Sequence, residues 1–402
     1  MIDLKYSIKQ NIFAFILSVL QKKKRRAFSY KEFISLFMAA SYYLIRNKDP
    51  EYNGKFQKKL EKEFQYFLGG GFSKVVNSGT NAVYVALKSL KIRKNSYIAV
   101  TPLIDPGVIN AILLAGYIPF FIDYDDKYKP VLSRINFLSQ NNLDISAIII
   151  VHYYGYVSDI SAIKKTCKDR DIKIIEDCSQ CHGGCNNGNS IGREGDVSIF
   201  STMSKKSMIT GSSGGILFTK NEEIFNLIQS YSDRGKPYGE IYDKNCSNNL
   251  FPSLNFNTCD LLCSIGLSSL RRLKKSTSIR RKNSILIQNE INSKKDLFSP
   301  KFSDNDCPFI IPLFCLNSHK HLLLNYLRKY NVDFSSEFYQ CATKWKWLRN
   351  HVDEELIKGC QNAEFFAENH ILIYIHEGYN YFYIKSIIEA IRSFRNQIKL
   401  KG

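Results

Sequence analysis

Four short stretches hold residues able to do chemistry. Asn77-Ser78-Gly79-Thr80-Asn81 stands where an apolar run gives way to a helical pattern. Free backbone N–H groups and the positive end of a helix dipole meet at such a junction and stabilise an anion such as phosphate; the same letters also make an ordinary helix N-cap. Glu176-Asp177-Cys178-Ser179-Gln180 closes the apolar run that starts at Lys173, in the crevice position where open α/β sheets bind ligands. An Asp there can hold a cationic ring nitrogen, or it can cap a helix. Ser201 to Lys206, followed by Gly211-Ser212-Ser213-Gly214-Gly215, sets a lysine among hydroxyls beside a glycine-rich turn. That is the rigid perch a Schiff-base lysine needs, although in so basic a chain a solvated surface lysine is the plain alternative. Asn255-Phe256-Asn257 precedes a long helical stretch and by itself reads as a turn.

The elements that must position these residues form an α/β pattern. Continuous apolar runs at 75–77, 97–101, 119–125, 147–151, 173–177 and 215–219 alternate with helical stretches at 80–90, 107–115, 160–167 and 222–231. Strands that are apolar throughout, separated by helices, describe a parallel sheet covered on both faces. A basic helix is expected over 264–283, then a smaller α+β domain with strands near 309–315 and 371–375 and a final helix over 383–394. Upstream, the helix beginning at Lys55 stops at Gly69-Gly70-Gly71, a glycine stop signal.

The 402 residues are 44% hydrophobic and 13% aromatic, too apolar for a disordered chain. Lys and Arg number 56 against 37 Asp and Glu, a net charge of +19, so a polyanionic partner is called for. Nucleotide diphosphates and anionic lipid both qualify; nucleic acid is set aside because no binding motif accompanies the charge. Eleven cysteines, none before Cys167, suggest reduced thiols and a cytoplasmic protein. Near the N-terminus, the apolar runs Ile12–Leu20 and Phe33–Ile45 flank the block Lys22-Lys23-Lys24-Arg25-Arg26. Both runs are shorter than the ~20 residues a bilayer span needs. They suit a helical pair packed on the body, or a peripheral membrane contact through residues 1–46.

Taken in order, the stretches resemble the DegT–DnrJ–StrS family of pyridoxal-phosphate aminotransferases, which act on nucleotide-linked keto-sugars. The segments VVNSGTNAVYVALKSL, NAILLAGYIPFFIDYD, VHYYGYVSDISAI, IIEDCSQCHG, IGREGDVSIFS and CQNAEFFAENHILIYIHEG carry the likeness from near Asn47 to the C-terminus. It implies fold type I: a large domain at 47–265 with a mostly parallel seven-stranded sheet, a small domain at 266–402, and a helical extension at 1–46. It also implies a homodimer with shared active sites, and a role in surface polysaccharide or glycoconjugate assembly. Lys206 takes the Schiff-base position, five residues after Ser201 and eight before Gly214. Asp177 would pair with the pyridine nitrogen and Gln180 with the ring hydroxyl. Ser201, Gly79, Thr80 and the Asn81 N–H would hold the phosphate, and Asn255 would reach the cofactor phosphate of the neighbouring subunit. Glutamate is the expected amino donor, and no metal is expected.

Two positions depart from the family pattern. Asp105 falls where an aromatic residue usually covers the cofactor ring, and Asn257 where an Arg is frequent. These departures leave room for a cofactor-binding protein without turnover. A family dehydratase would carry His in place of Lys206. Cys178-Ser179-Gln180-Cys181-His182 also spells a haem-attachment pattern, and Cys185 nearby makes a metal site conceivable.

Overall fold

The computed structural model describes residues 11, 14, 16, 29–135, 145–168, 170–186, 188–238, 250–316, 319–336 and 341–401. Most of the first apolar run and the whole block Lys22–Arg26 lie outside the described residues.

The strands are β1 (Phe72–Val76), β2 (Tyr97–Val100), β3 (Ile118–Phe121), β4 (Ile145–Val151), β5 (Lys173–Asp177), a small hairpin β6 (Cys185–Asn186) and β7 (Asn189–Ser190), β8 (Val197–Ser201) and β9 (Gly215–Thr219). All but the hairpin form one seven-stranded sheet in the order β1-β9-β8-β5-β4-β2-β3. Strand β9 runs antiparallel to both of its neighbours, and the other pairings are parallel. The sheet is therefore mostly parallel, as expected. Both faces are covered: every residue of β8 and β9 is buried, as are Ile148, Ile149 and Ile150 of β4. Each such Ile contributes about 1.5–3 kcal/mol relative to exposure. The strand expected over 119–125 ends at Phe121, because Asp123 turns out of the sheet. Its carboxylate accepts the N–H groups of Asn362 (2.9 Å) and Ala363 (2.9 Å) at the start of a distant helix.

The helices used below are α1 (Tyr30–Ile45), α2 (Lys55–Phe67), α3 (Gly79–Ser89), α4 (Pro106–Leu114), α5 (Ile160–Lys168), α6 (Glu222–Ser232), α7 (Asp260–Ile291), α8 (Lys320–Lys329), α9 (Gln361–Asn369) and α10 (Tyr381–Lys401). Helix α7 outruns its expected 264–283 at both ends. At its start Asp260 accepts the N–H of Gln57 (2.6 Å) and of Phe56 (3.1 Å). Just past its end Asn292 pairs twice with the backbone of Ser299. Polar partners thus extend it beyond its apolar pattern. Its first half packs on Leu60 and Phe64 of α2, while Ile287 and Ile291 enter a second core. That core lies on a four-stranded antiparallel sheet, β10 (Leu297–Phe298), β11 (Ile310–Cys315), β13 (His370–Tyr374) and β12 (Phe334–Ser335), covered by α8 and α10.

The second N-terminal run does form a helix, α1, but its orientation follows its polar residues. Glu32 turns inward to Arg272 of α7 (Nε–Oε1 2.8 Å), and Tyr43 bonds Asp260.

Candidate active site

In a parallel sheet the strand C-termini open onto one edge, where loops can converge. Strand β5 ends there at Asp177, β8 at Ser201 and β4 at Val151, and α3 starts beside them at Gly79. A cavity of about 190 Å³ lies at this edge, and its wall includes Gly79, Thr80, Asp177, Gln180, Ser201 and Lys206. Six of the eight residues expected at the site therefore meet in one place. Asp105, Tyr153, Ser179 and Ser213 also line it.

Asp177 is buried, and its Oδ1 accepts the Ser179 N–H at 2.9 Å. Burial pushes its carboxyl above the usual range, against the Ser179 bonds and the charge of Lys206. Lys206 is shifted the complementary way: burial lowers the amine below its ordinary value, while Asp177 and Asp105 oppose the fall. Its Nζ also sits 5.4 Å from the centre of the Phe309 ring. The residue before it, Lys205, has φ +93°, an uncommon value for a residue with a side chain and a strain that fixes where the loop aims Lys206. Gln180 Oε1 accepts the Tyr154 N–H at 2.9 Å, so what Gln180 keeps for a ligand is its N–H donors. The Ser201 N–H donates to Ser179 Oγ at 2.9 Å, tying the two strand ends together.

The start of α3 is shaped for a close approach. A Cβ on Gly79 would lie 2.7 Å from Ser201 Cβ, so only glycine fits there. Ser78 caps the helix by accepting the Asn81 N–H (3.1 Å). Asn81 does not line the cavity, and its N–H is donated to the cap. Gly79 and Thr80 hold the first N–H groups of the helix, which have no intrahelical acceptor. Asn255 also lies off the cavity. It is exposed, and its Oδ1 accepts from Asn257 at 3.1 and 2.9 Å.

Asp105 lines the cavity while capping α4, its Oδ1 accepting the Gly107 N–H at 2.9 Å. Asp105→Asn removes one of the two carboxylates that hold the Lys206 amine up, so that amine should titrate at lower pH. The pH at which cofactor uptake by the apo-protein is half-maximal should drop by roughly half a unit. An unmoved midpoint would show that the two groups do not interact.

The sequence reading gives Glu176 no role of its own. It is fully buried, and its oxygens accept N–H groups from Gly192 (2.9 Å), Glu194 (2.8 Å) and Gly195 (2.6 Å) while its Oε2 meets His152 Nε2 at 3.3 Å. Burial alone would raise its carboxyl, but His152 and these N–H donors leave it below the usual value. The cysteine motif does not gather a metal set among the described residues. Cys181 Sγ donates to Gly155 O (3.3 Å) and Cys185 Sγ to Asn305 Oδ1 (3.4 Å), whereas the ligand atoms that do converge are those of His152, Glu176 and Cys178. His182 is buried, and burial, with the charges of Lys206 and Arg280, lowers it from 6.5 to about 3. As pH falls below 6.5 the unfolded chain takes up this proton first, so stability is full above 6.5 and is lost towards pH 3. In His182→Gln the melting temperature should fall less steeply between those values; an equal slope would rule this cause out.

A phosphorylated pyridine aldehyde fits these donors: an amine for its carbonyl, a carboxylate for its ring nitrogen, and helix N–H groups and Ser201 for its phosphate. Residues 42–392 match the model of the DegT/DnrJ/EryC1/StrS aminotransferase family. The chain belongs to this family. Like other DegT/DnrJ/EryC1/StrS aminotransferases it is a pyridoxal-phosphate enzyme. It is 26% identical to GDP-perosamine synthase of Escherichia coli O157:H7 over 82% of this chain and 91% of that protein. A GDP-perosamine synthase of Vibrio cholerae is also 26% identical, over 59% of this chain; there the match spans 63% of the relative. The aminotransferase PseC of Helicobacter pylori, involved in the biosynthesis of pseudoaminic acid, shares the fold with a TM-score of 0.81 at 18% identity, over 91% of this chain and 96% of that one.

Proposed function

We propose that this aminotransferase moves an amino group from glutamate to a keto-sugar carried on a nucleotide, for surface polysaccharide or glycoconjugate assembly. The observation that carries the reading is the meeting of Lys206, Asp177 and the start of α3 around one cavity. The names of the relatives support the substrate class.

Pyridoxal phosphate, when bound, supplies a conjugated electron sink. Asp177 would hold the proton on the ring nitrogen, and Gln180 would donate to the ring oxygen. Ser201 and the N–H groups of Gly79 and Thr80 would bind the phosphate. Lys206, its basicity lowered by burial, would accept at Nζ the proton leaving the donor's α-carbon and would return a proton to the sugar carbon that receives the amino group. Asn255, exposed and off its own cavity, suits a contact with the cofactor phosphate of a second subunit, so we assign a homodimer with shared sites. We also assign the protein to the cytoplasm, where reducing conditions keep thiols such as Cys178 and Cys263 free.

The test is to reduce the holoenzyme with borohydride, map the labelled peptide, and then offer glutamate followed by nucleotide-linked keto-sugars. A label on Lys206 and a new amino-sugar are the expected results. A label elsewhere, or glutamate consumed with no sugar accepted, would replace this reading with a cofactor-binding protein of another activity.

A further inference from the structure

Helix α1 is turned inside out. An amphipathic surface helix normally hides its apolar stripe, yet here the buried positions are Glu32, Ala39 and Tyr43. The opposite face carries Phe33, Ile34, Phe37, Met38, Leu44 and Ile45, which are 50–82% exposed. Their spacing at three and four residues lines them along one side of a helix ~24 Å long. The ion pair of Glu32 with Arg272 and the bond of Tyr43 to Asp260 hold the helix in this orientation from both ends. So large an apolar face marks a binding surface.

We propose that α1 docks on an anionic phospholipid surface, lying in the interface with this stripe immersed. Charge complementarity selects that occupant. The one acid of α1, Glu32, is turned inward and paired, and the exposed charges at its two ends, Lys31 and Arg46, are basic. The five consecutive basic residues Lys22–Arg26 precede it in the chain, and the whole protein carries +19. Apolar burial joined to a basic cluster gives the two signals that stable peripheral attachment requires. A second copy packed stripe to stripe would instead bring these like charges together. Ala14 is buried with Ile287 and Ile291 in the second core. No helix of the described residues is long and apolar enough to cross a membrane.

The test uses the full-length holoenzyme in flotation with vesicles of phosphatidylcholine, with and without phosphatidylglycerol, beside the variant Phe37→Glu/Leu44→Glu. Neither residue touches the cofactor cavity, so an unchanged melting temperature and visible spectrum verify that the variant is folded. The wild type should float only with phosphatidylglycerol vesicles and be released by salt, and the variant should bind about tenfold less or worse. Failure of the wild type to float, or equal flotation of the two proteins, overturns the proposal. So does a variant whose only change is a smaller oligomeric mass, which would make the stripe an interface between copies.

Discussion

Lys206→Arg should abolish transamination, with turnover down by about 10⁴-fold or more, and should erase both the visible absorbance and the borohydride label. The substitution keeps a positive charge in the cavity but removes the amine that lines it, whose basicity burial lowers. A guanidinium stays protonated at any accessible pH. It can neither attack a carbonyl nor accept the carbon-bound proton, and loss of general acid–base transfer alone is worth 10²–10⁴. Lys205 is the internal control. It is the neighbouring lysine but is exposed and does not line the cavity, so Lys205→Arg should leave turnover nearly unchanged. Loss of activity in the second variant with retention in the first would move the chemistry to position 205.

Asp177→Asn is expected to cost about 10²-fold in turnover, through two effects of opposite sign. Asp177 raises the basicity of Lys206, so removing its charge makes the amine easier to deprotonate. A shift of one unit would speed amine attack tenfold at most. Against that stands the loss of a buried, pre-oriented carboxylate facing the ring nitrogen, and deleting one such electrostatic partner costs about 10²–10³. The second effect wins. The variant should still be labelled at Lys206, because the amine remains, which separates an electronic defect from failure to bind. A variant of full activity would mean that another group protonates the ring.

Much of this site was legible from residue order, since Asp177, Gln180, Ser201 and Lys206 each stand at a strand end or on the loop beyond it, where side chains must face the crevice. The cap in Ser78-x-x-Asn81 is equally legible in the residue order, and local capping competes for the very N–H a ligand would use. The anchoring role of Glu176 is not legible in the sequence. Its partners come from a loop near residue 192, and no pattern along β5 reports a contact across that distance. Helix α1 defeated the usual rule that apolar residues point inward. Arg272 and Asp260 lie on α7, more than 200 positions away, and their demand for Glu32 and Tyr43 decides which way the helix faces.

Glu176 and Asp177 are successive residues of one strand and so project to opposite sides of it. One is anchored to the 192–195 loop, while the other lines the cavity. A slip of β5 by a single residue would carry Glu176 into the place that faces the cavity and turn Asp177 away from it. Strand alignment here is thus chemical information. Damage to the anchor, although remote from any substrate, would first be visible as an altered colour of the bound vitamin, before the protein as a whole gives way.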